Sequence, residues 1–454
     1  MIREFPIEFK FQPNPAAPNT TVTTAQKLLC HFERFLPRPA GKPDPTARRF
    51  LLWSVVQLGD VVLDLAAARA IKRRFPDARV TMIVQRKLAA FAALEPSLDR
   101  VRGYDPRWFT RVDQHRDALR ESLRLRRELA TEQVAFVFDR HPLSRLFLRS
   151  TRIPWLVGCA QPSSCLSLSL PVQAGRHRLE EKLALLEAVG IPTQPADIAL
   201  SIPEGACRDA LEILHGQGWQ GEKLLALCPG AGSPLKCWPP ERFAAAANVL
   251  SPETGCRVLV LGSPDDRSRA HALVQRLQSS PINLAGKTPV TTAAALLAHC
   301  HLVLTNDSGA MHLAAALGRP TVALFGPTDP SQWGPRGPGQ SIALRSPTGR
   351  MEDLSLDPVV AAVRQQLAQE GDPTDRLRRQ ELHTLAVQPQ PRAPAPSSRL
   401  ADDSSHATPG LFAGVDSSTP IFVIGRQHSG NTLLAAVLDR TPTVLGLQGE
   451  GTFF

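Results

Sequence analysis

Between Phe50 and about residue 370 the chain alternates short apolar runs with stretches of helical periodicity, and it does so in two series. The first series holds FLLWSVV (50–56), RVTMIV (79–84) and VAFVFD (134–139). The second begins near residue 222 with LLALCPG, CRVLVLGS, HLVLTND and PTVALFG, separated by the helical stretches ERFAAAANVL, DRSRAHALVQRL, VTTAAALLAHC and AMHLAAALG. Compact β-branched runs bounded by turn residues read as strands. Strands that alternate with helices imply parallel sheets, since each parallel connection must cross back over the sheet. The expected fold is α/β, with two doubly wound units facing a cleft at the carboxyl ends of their strands. The segments divide as a Pro-rich extension (1–47), a first unit (48–205), a second unit (206–371) and a linker (372–419) of Pro, Ser and charged residues. Residues 420–454 then begin a new strand–loop–helix.

Several function classes are set aside by composition. The longest apolar runs fall well short of the roughly 18 residues that a membrane span needs, so no transmembrane helix is expected. The amino terminus, MIREFPIEFKFQPNPAAPN, has charges and prolines where a signal peptide would carry an apolar core, so secretion is not expected. Eight cysteines without a C-x-x-C pair suit a reduced cytosol better than a disulfide framework or a zinc site. A formal charge of +10 points to an anionic partner. With a single tyrosine and few other aromatics, base stacking is poorly supported, and no nucleic-acid partner is expected.

Three stretches can carry chemistry. In QLGDVVLDLAAARAIKRRFPDARV, a strand ending at Val56 leads through Gly59 to Asp60 at a helix start. Asp60 either caps that helix or presents a carboxylate that can take a proton from an acceptor hydroxyl. In CPGAGSPLKCWPPERF, Gly230 and Gly232 let the backbone approach a ligand, and Lys236 is a mobile cation suited to phosphate, or else a solvated loop lysine. In HLVLTNDSGAMHLAAALGRP, a strand delivers Asn306, Asp307, Ser308 and Gly309 to a helix ending at Gly318. The free amides and dipole of that helix start suit a diphosphate, while Asp307 or Ser308 acting only as a cap, and His312 packing against the sheet, are the alternatives.

Taken together and in order, these stretches resemble the heptosyltransferase family, glycosyltransferases of the bacterial lipopolysaccharide core. The matching pieces are LGDVVLDLAAARAIKRRFPDA, CPGAGSPLKCWPPERFAAAA, INLAGKTPVTTAAALLAHCHLVLTNDSGAMHLAAALGRPTVALFGPTDP and MEDLSLDPVVAAVRQQL, over about residues 50–370. The resemblance implies a GT-B type fold of two Rossmann-like domains, the acceptor mostly on the first and the nucleotide-sugar on the second, and inverting, metal-independent transfer of a heptose or related sugar from an ADP-heptose-like donor to a lipopolysaccharide-core or similar saccharide. It implies no bound cofactor, the nucleotide-sugar being a co-substrate. By motif match Asp60 would be the general base, Lys236 a ligand of donor phosphate, and Asp307, Ser308, Gly309 and His312 the surroundings of the diphosphate and sugar. Gly59 lies in the same turn as the base. Gly232 stands where the family often has a hydroxyl, so that contact would come from the backbone or Ser233. Asp265 or Asp266 is a loose candidate for the nucleotide. The rival reading is a non-catalytic module that binds nucleotide-sugar.

The stretch from Arg100 to Arg127 is dense in arginine and reads as a solvated face, or, given the family's anionic lipid-linked acceptors, as a face toward acceptor or the cytoplasmic side of the inner membrane. Near the carboxyl end, PIFVIGRQHSGNTLLAAVLDRTP spaces Gly425, Gly430 and Thr432 as in a phosphate-binding loop, with Asn431 at the lysine position. Residues 420–454 resemble the amino-terminal piece of sulfotransferases, in which Ser429, Gly430, Asn431 and Thr432 would hold the 5′-phosphosulfate of PAPS. Thirty-five residues are too few for that core, so PAPS binding is expected only if a complete sulfotransferase domain follows, as in a fusion.

Overall fold

Strand β1 (Arg49–Ser54) is buried at every position but its first, the mark of a strand covered on both faces. The computed structural model describes residues 43–106, 115–160 and 165–368. Within them β1 is followed by α1 (Leu58–Arg74), β2 (Arg79–Val84), α2 (Arg86–Ala92), β3 (Arg100–Gly103), α3 (His115–Leu129), β4 (Val134–Val137), α4 (Pro142–Ser150), β5 (Trp155–Cys159), β6 (Leu168–Leu170), α5 (Arg178–Ala188) and α6 (Glu204–Gly216). The second half holds β7 (Leu224–Cys228), α7 (Pro240–Thr254), β8 (Arg257–Val260), α8 (Arg267–Val274), β9 (Ile282–Asn283), α9 (Val290–Ala298), β10 (Leu302–Asn306), α10 (Gly309–Ala316), β11 (Thr321–Phe325), α11 (Pro330–Trp333), β12 (Ser341–Arg345) and α12 (Leu356–Ala368). Residues 43–105, 126–160 and 165–368 form one compact unit.

The first sheet has the order β3-β2-β1-β4-β5-β6 and the second β12-β11-β10-β7-β8-β9. Both are parallel at every pairing, so the expected α/β fold of two doubly wound sheets is what forms. The order reverses between β1 and β4 and between β7 and β10, and crevices open at such reversals beyond the carboxyl ends of the strands. All three candidate stretches leave those ends: residues 55–60 follow β1, 229–236 follow β7 and 307–309 follow β10.

Apolar residues point both ways from the second sheet. Leu224, Ala226 and Cys228 join a cluster that runs through Leu313 and Ala314 of α10 and Val62 and Leu65 of α1 to Leu52 and Phe136 of the first sheet. Leu225 and Leu227 join a second cluster with Trp238, Phe243, Val359 and Val363. The two halves are therefore joined by a continuous apolar seam in which α1 lies against α10.

Some expectations shift in detail. Pairing of β1 stops at Ser54 opposite Val84, two residues before Val56. Arg100 and Arg102 belong to the edge strand β3 and both reach Glu128, at 2.7 and 3.8 Å, while Arg126 donates to the Ser150 carbonyl. These three arginines bind the protein itself, while Arg120, Arg124 and Arg127 of α3 are exposed, as expected of a solvated face. Among the described residues no helix is long and apolar enough to cross a membrane. The residues 420–454, with Ser429, Gly430, Asn431 and Thr432, lie outside the described residues.

Candidate functional site

Asp60 stands in the first turn of α1, where a carboxylate suits the positive end of the helix dipole. It does not cap the helix: Gln57 is the N-cap, with no side-chain hydrogen bond. Its Oδ1 instead accepts from Lys182 Nζ at 2.9 Å, and the same ammonium donates to the Asp60 carbonyl at 3.2 Å. Lys182 also pairs with Asp64 Oδ1 at 2.6 Å, one turn further along α1, and Ser54 at the end of β1 donates to Asp64 Oδ2 at 2.5 Å. Lys182 is 4% exposed and Asp60 24%. Burial alone would push the Asp60 carboxyl upward, but the charges of Lys182 and Arg178, with the Lys182 hydrogen bond, hold it below the usual carboxylate range. For Asp64 burial wins, and its carboxyl is pushed up to about 6 against the pull of Lys182.

The helix that supplies Lys182, α5, begins at the meeting of the two halves. His177 caps it, Nδ1 accepting from Leu179 N at 3.1 Å, so the ring proton sits on Nε2 and donates to the Gly334 carbonyl at 2.9 Å. Next to it Arg178 lies over the Trp333 ring, and Glu181 takes Arg178 and Arg140 together.

On the second sheet, Asn306 ties the end of β10 to the loop after β7. Its side chain accepts from Trp238 N at 3.0 Å and donates to the Pro229 carbonyl at 2.9 Å. That tie sets Lys236 beside Asp307: Nζ donates to Asp307 Oδ2 at 2.8 Å, and Thr328 donates to the same oxygen at 2.6 Å. Ser308 is the N-cap residue of α10 but its hydroxyl meets Thr305 at 3.2 Å and makes no cap, so the first amides of α10 keep their donors. Gly232 is exposed and a Cβ there would touch nothing within 4 Å, which leaves its backbone open to a ligand. Asp266 is committed elsewhere: it accepts from Ser263 N and Oγ and sits under Gly230, where a Cβ would strike its carboxylate at 2.1 Å.

The two sets of residues meet at two glycines. A Cβ on Gly59 would lie 2.6 Å from His312 Cδ2, and one on Gly309 would lie 2.9 Å from Leu58 Cβ. Both glycines thus have a packing reason: they let the starts of α1 and α10 touch. His312 is buried beside Gly59 of α1, and its Nδ1 has no partner among the described residues. Burial pushes the imidazole down to about 4, against the opposing pull of Asp307 and Asp60, so it is neutral at pH 7. The structure therefore gathers Asp60, Gly59, Lys236, Asp307, Ser308, Gly309 and His312 around one junction of two uncapped helix starts.

Lys182, Arg178, His177 and Thr328 were not singled out from the sequence. A signal for Lys182 exists: Arg178, Leu179, Glu181, Lys182, Leu185 and Leu186 form the buried face of α5, and a lysine within such a stripe demands a charged partner. The partner itself is 122 residues away in the chain.

Two doubly wound parallel sheets whose strand ends meet at a charged junction of helix starts define a GT-B type α/β fold. The chain belongs to glycosyltransferase family 9 (heptosyltransferase), whose model matches residues 122–357. It is similar to the lipooligosaccharide heptosyltransferase 2 of Haemophilus influenzae, 43% identical over 116 residues, which are 24% of this chain and 33% of that one. It is also similar to lipopolysaccharide heptosyltransferase 3 of Escherichia coli K12, 25% identical over 285 residues, 61% of this chain and 82% of that one. Against the first curated relatives it matches, the chain spans less than half of their length. The solved ADP-heptose lipopolysaccharide heptosyltransferase II of E. coli superposes with a TM-score of 0.60 at 23% identity, covering 71% of this chain and 99% of that chain.

Proposed function

We propose that this protein transfers a heptose or related sugar from an ADP-heptose-like donor to a lipopolysaccharide-core or similar anionic saccharide, with inversion, without a metal, and at the cytoplasmic face of the inner membrane. The observation that carries the reading is the position of His312, packed on Gly59 and under the charges of both Asp60 and Asp307, because it brings a candidate base on one sheet to the candidate phosphate site on the other. The similarity to a lipooligosaccharide heptosyltransferase and to a lipopolysaccharide heptosyltransferase supports the substrate class, and that to the solved E. coli ADP-heptose heptosyltransferase II supports ADP-heptose.

In this mechanism the diphosphate rests on the open amides of α10 and beside Lys236, which stabilise the charge that grows as the sugar–oxygen bond breaks. The acceptor hydroxyl attacks the anomeric carbon from the opposite face. Its proton passes to Asp60 Oδ2, the oxygen that accepts no hydrogen bond from the described residues. Asp60→Asn should abolish transfer while leaving donor binding nearly unchanged, since the carboxylate would act on the acceptor. Thermal shifts against ADP-, GDP- and UDP-sugars test the donor: stabilisation by GDP- or UDP-sugars alone would overturn the ADP-heptose reading.

A further inference from the structure

Asp60 and Asp64 are four residues apart on one face of α1, a like-charge spacing that costs a helix a few tenths of a kcal/mol and far more when both groups leave water. The arrangement persists because one ammonium serves both. Lys182 Nζ donates to Asp60 Oδ1 and to the Asp60 carbonyl, and forms an ion pair with Asp64 Oδ1 at 2.6 Å. Asp64, fully buried and anchored by Ser54 from the sheet, fixes the ammonium from below. The consequence falls on Asp60: its Oδ1 is pinned by the ammonium, and the carboxylate lies close enough to His312 for the two to interact electrostatically.

We propose that Lys182 is a positioning residue for the transfer, fixing the orientation of the Asp60 carboxylate and keeping it ionised while Asp64 and Ser54 hold the lysine in place. The inference rests on the reading of Asp60 as the base. A purely structural tie between α1 and α5 would be made as well by apolar residues, and an ammonium that faces two carboxylates would be a poor choice for it. The charged and titratable groups that face Asp60 are Lys182 and Arg178 from α5, His312 from α10 and Asp64 from its own helix. With His312 neutral and Asp64 of opposite effect, Lys182 and Arg178 are the two that keep the carboxylate charged.

The test pairs a titration with a rate. Carboxyl carbon NMR of aspartate-labelled protein reads the Asp60 titration, and kcat/KM against pH reads its use. Because Lys182→Met alone leaves a buried Asp64 uncompensated and destabilises the fold, Lys182→Met combined with Asp64→Leu removes the pair as a neutral unit. In that double variant the Asp60 titration and the acid limb of kcat/KM should both move up by about 1–3 pH units, the usual effect of losing an adjacent cation, and kcat should fall more than donor affinity. Lys182→Arg should restore most of the shift. An Asp60 titration unchanged in the double variant would overturn the assignment of Lys182. Asp60→Asn is assayed separately: a wild-type rate there would sink the base reading while the titration still reports on the lysine.

Discussion

Replacing Gly59 by alanine sets two opposing effects against each other. Alanine is the better helix former by about 1 kcal/mol in a helix interior, and by less in the first turn where Gly59 sits. Against this, the new methyl would lie 2.6 Å from His312 Cδ2, about 1 Å inside a comfortable carbon–carbon contact. The ring is 5% exposed and held between α1 and α10, so it cannot swing into solvent. Overpacking of this kind costs about 1–3 kcal/mol, and the net destabilisation is about 0–2 kcal/mol after the helix gain. The larger effect falls on function: spreading the two helix starts by about 1 Å would lower transfer by about 100-fold. Urea midpoints followed by tryptophan fluorescence and initial transfer rates at saturating donor check both. Gly232→Ala is the control, since its Cβ meets nothing within 4 Å, and its stability should stay within about 0.5 kcal/mol of wild type. Gly59→Ala with wild-type stability and wild-type rate would refute the claim that these glycines set the spacing of the halves.

Lys236→Ala leaves Asp307, 6% exposed, with Thr328 as its remaining side-chain donor. A loss of about 1–3 kcal/mol should accompany weaker donor binding in calorimetry, and unchanged affinity would remove the lysine from the phosphate site. His177→Ala loses both the α5 cap and the bond to Gly334, for about 1–2 kcal/mol; His177→Asn should recover part of it by capping, and equal denaturation midpoints for the two variants would count against the cap. His312, held near 4, resists a proton that the unfolded chain takes up near 6.5, so its contribution is complete above about 6.5 and lost as pH falls through about 4. Asp64 runs the other way, its contribution present below 3.8 and lost as pH rises through about 6. Stability profiles of wild type and His312→Gln should therefore diverge between pH 6.5 and 4, wild type falling relative to the variant; parallel profiles would contradict the burial of a neutral imidazole.

Much of the fold can be read along the chain. β1, β2, β4, β7, β8, β10 and β11 are continuous apolar runs because sheets covered on both faces need nothing else. Strands that escape such reading are β5, with a glycine at its fourth position, the two-residue β9, and edge strands such as β3, whose RVRG carries arginines because an edge can hold them. The glycines are the instructive case. Gly59, Gly232 and Gly309 look alike in sequence as turn or ligand positions, yet two of them serve the crossing of α1 and α10 and one faces open space.

By itself, then, the sequence determined the parallel α/β architecture and the three loops that carry polar residues, since periodicity and turn chemistry act over a few residues and leave a local record. Only the tertiary structure decided which groups share an environment. Asp60 gains its charge from Lys182, 122 residues away, and Asp307 gains its partner Lys236 from 71 residues away. Coulombic and desolvation energies depend on distance and burial in space, so no local pattern records them, and the state of each carboxylate is settled only once both sheets and the seam between them have formed.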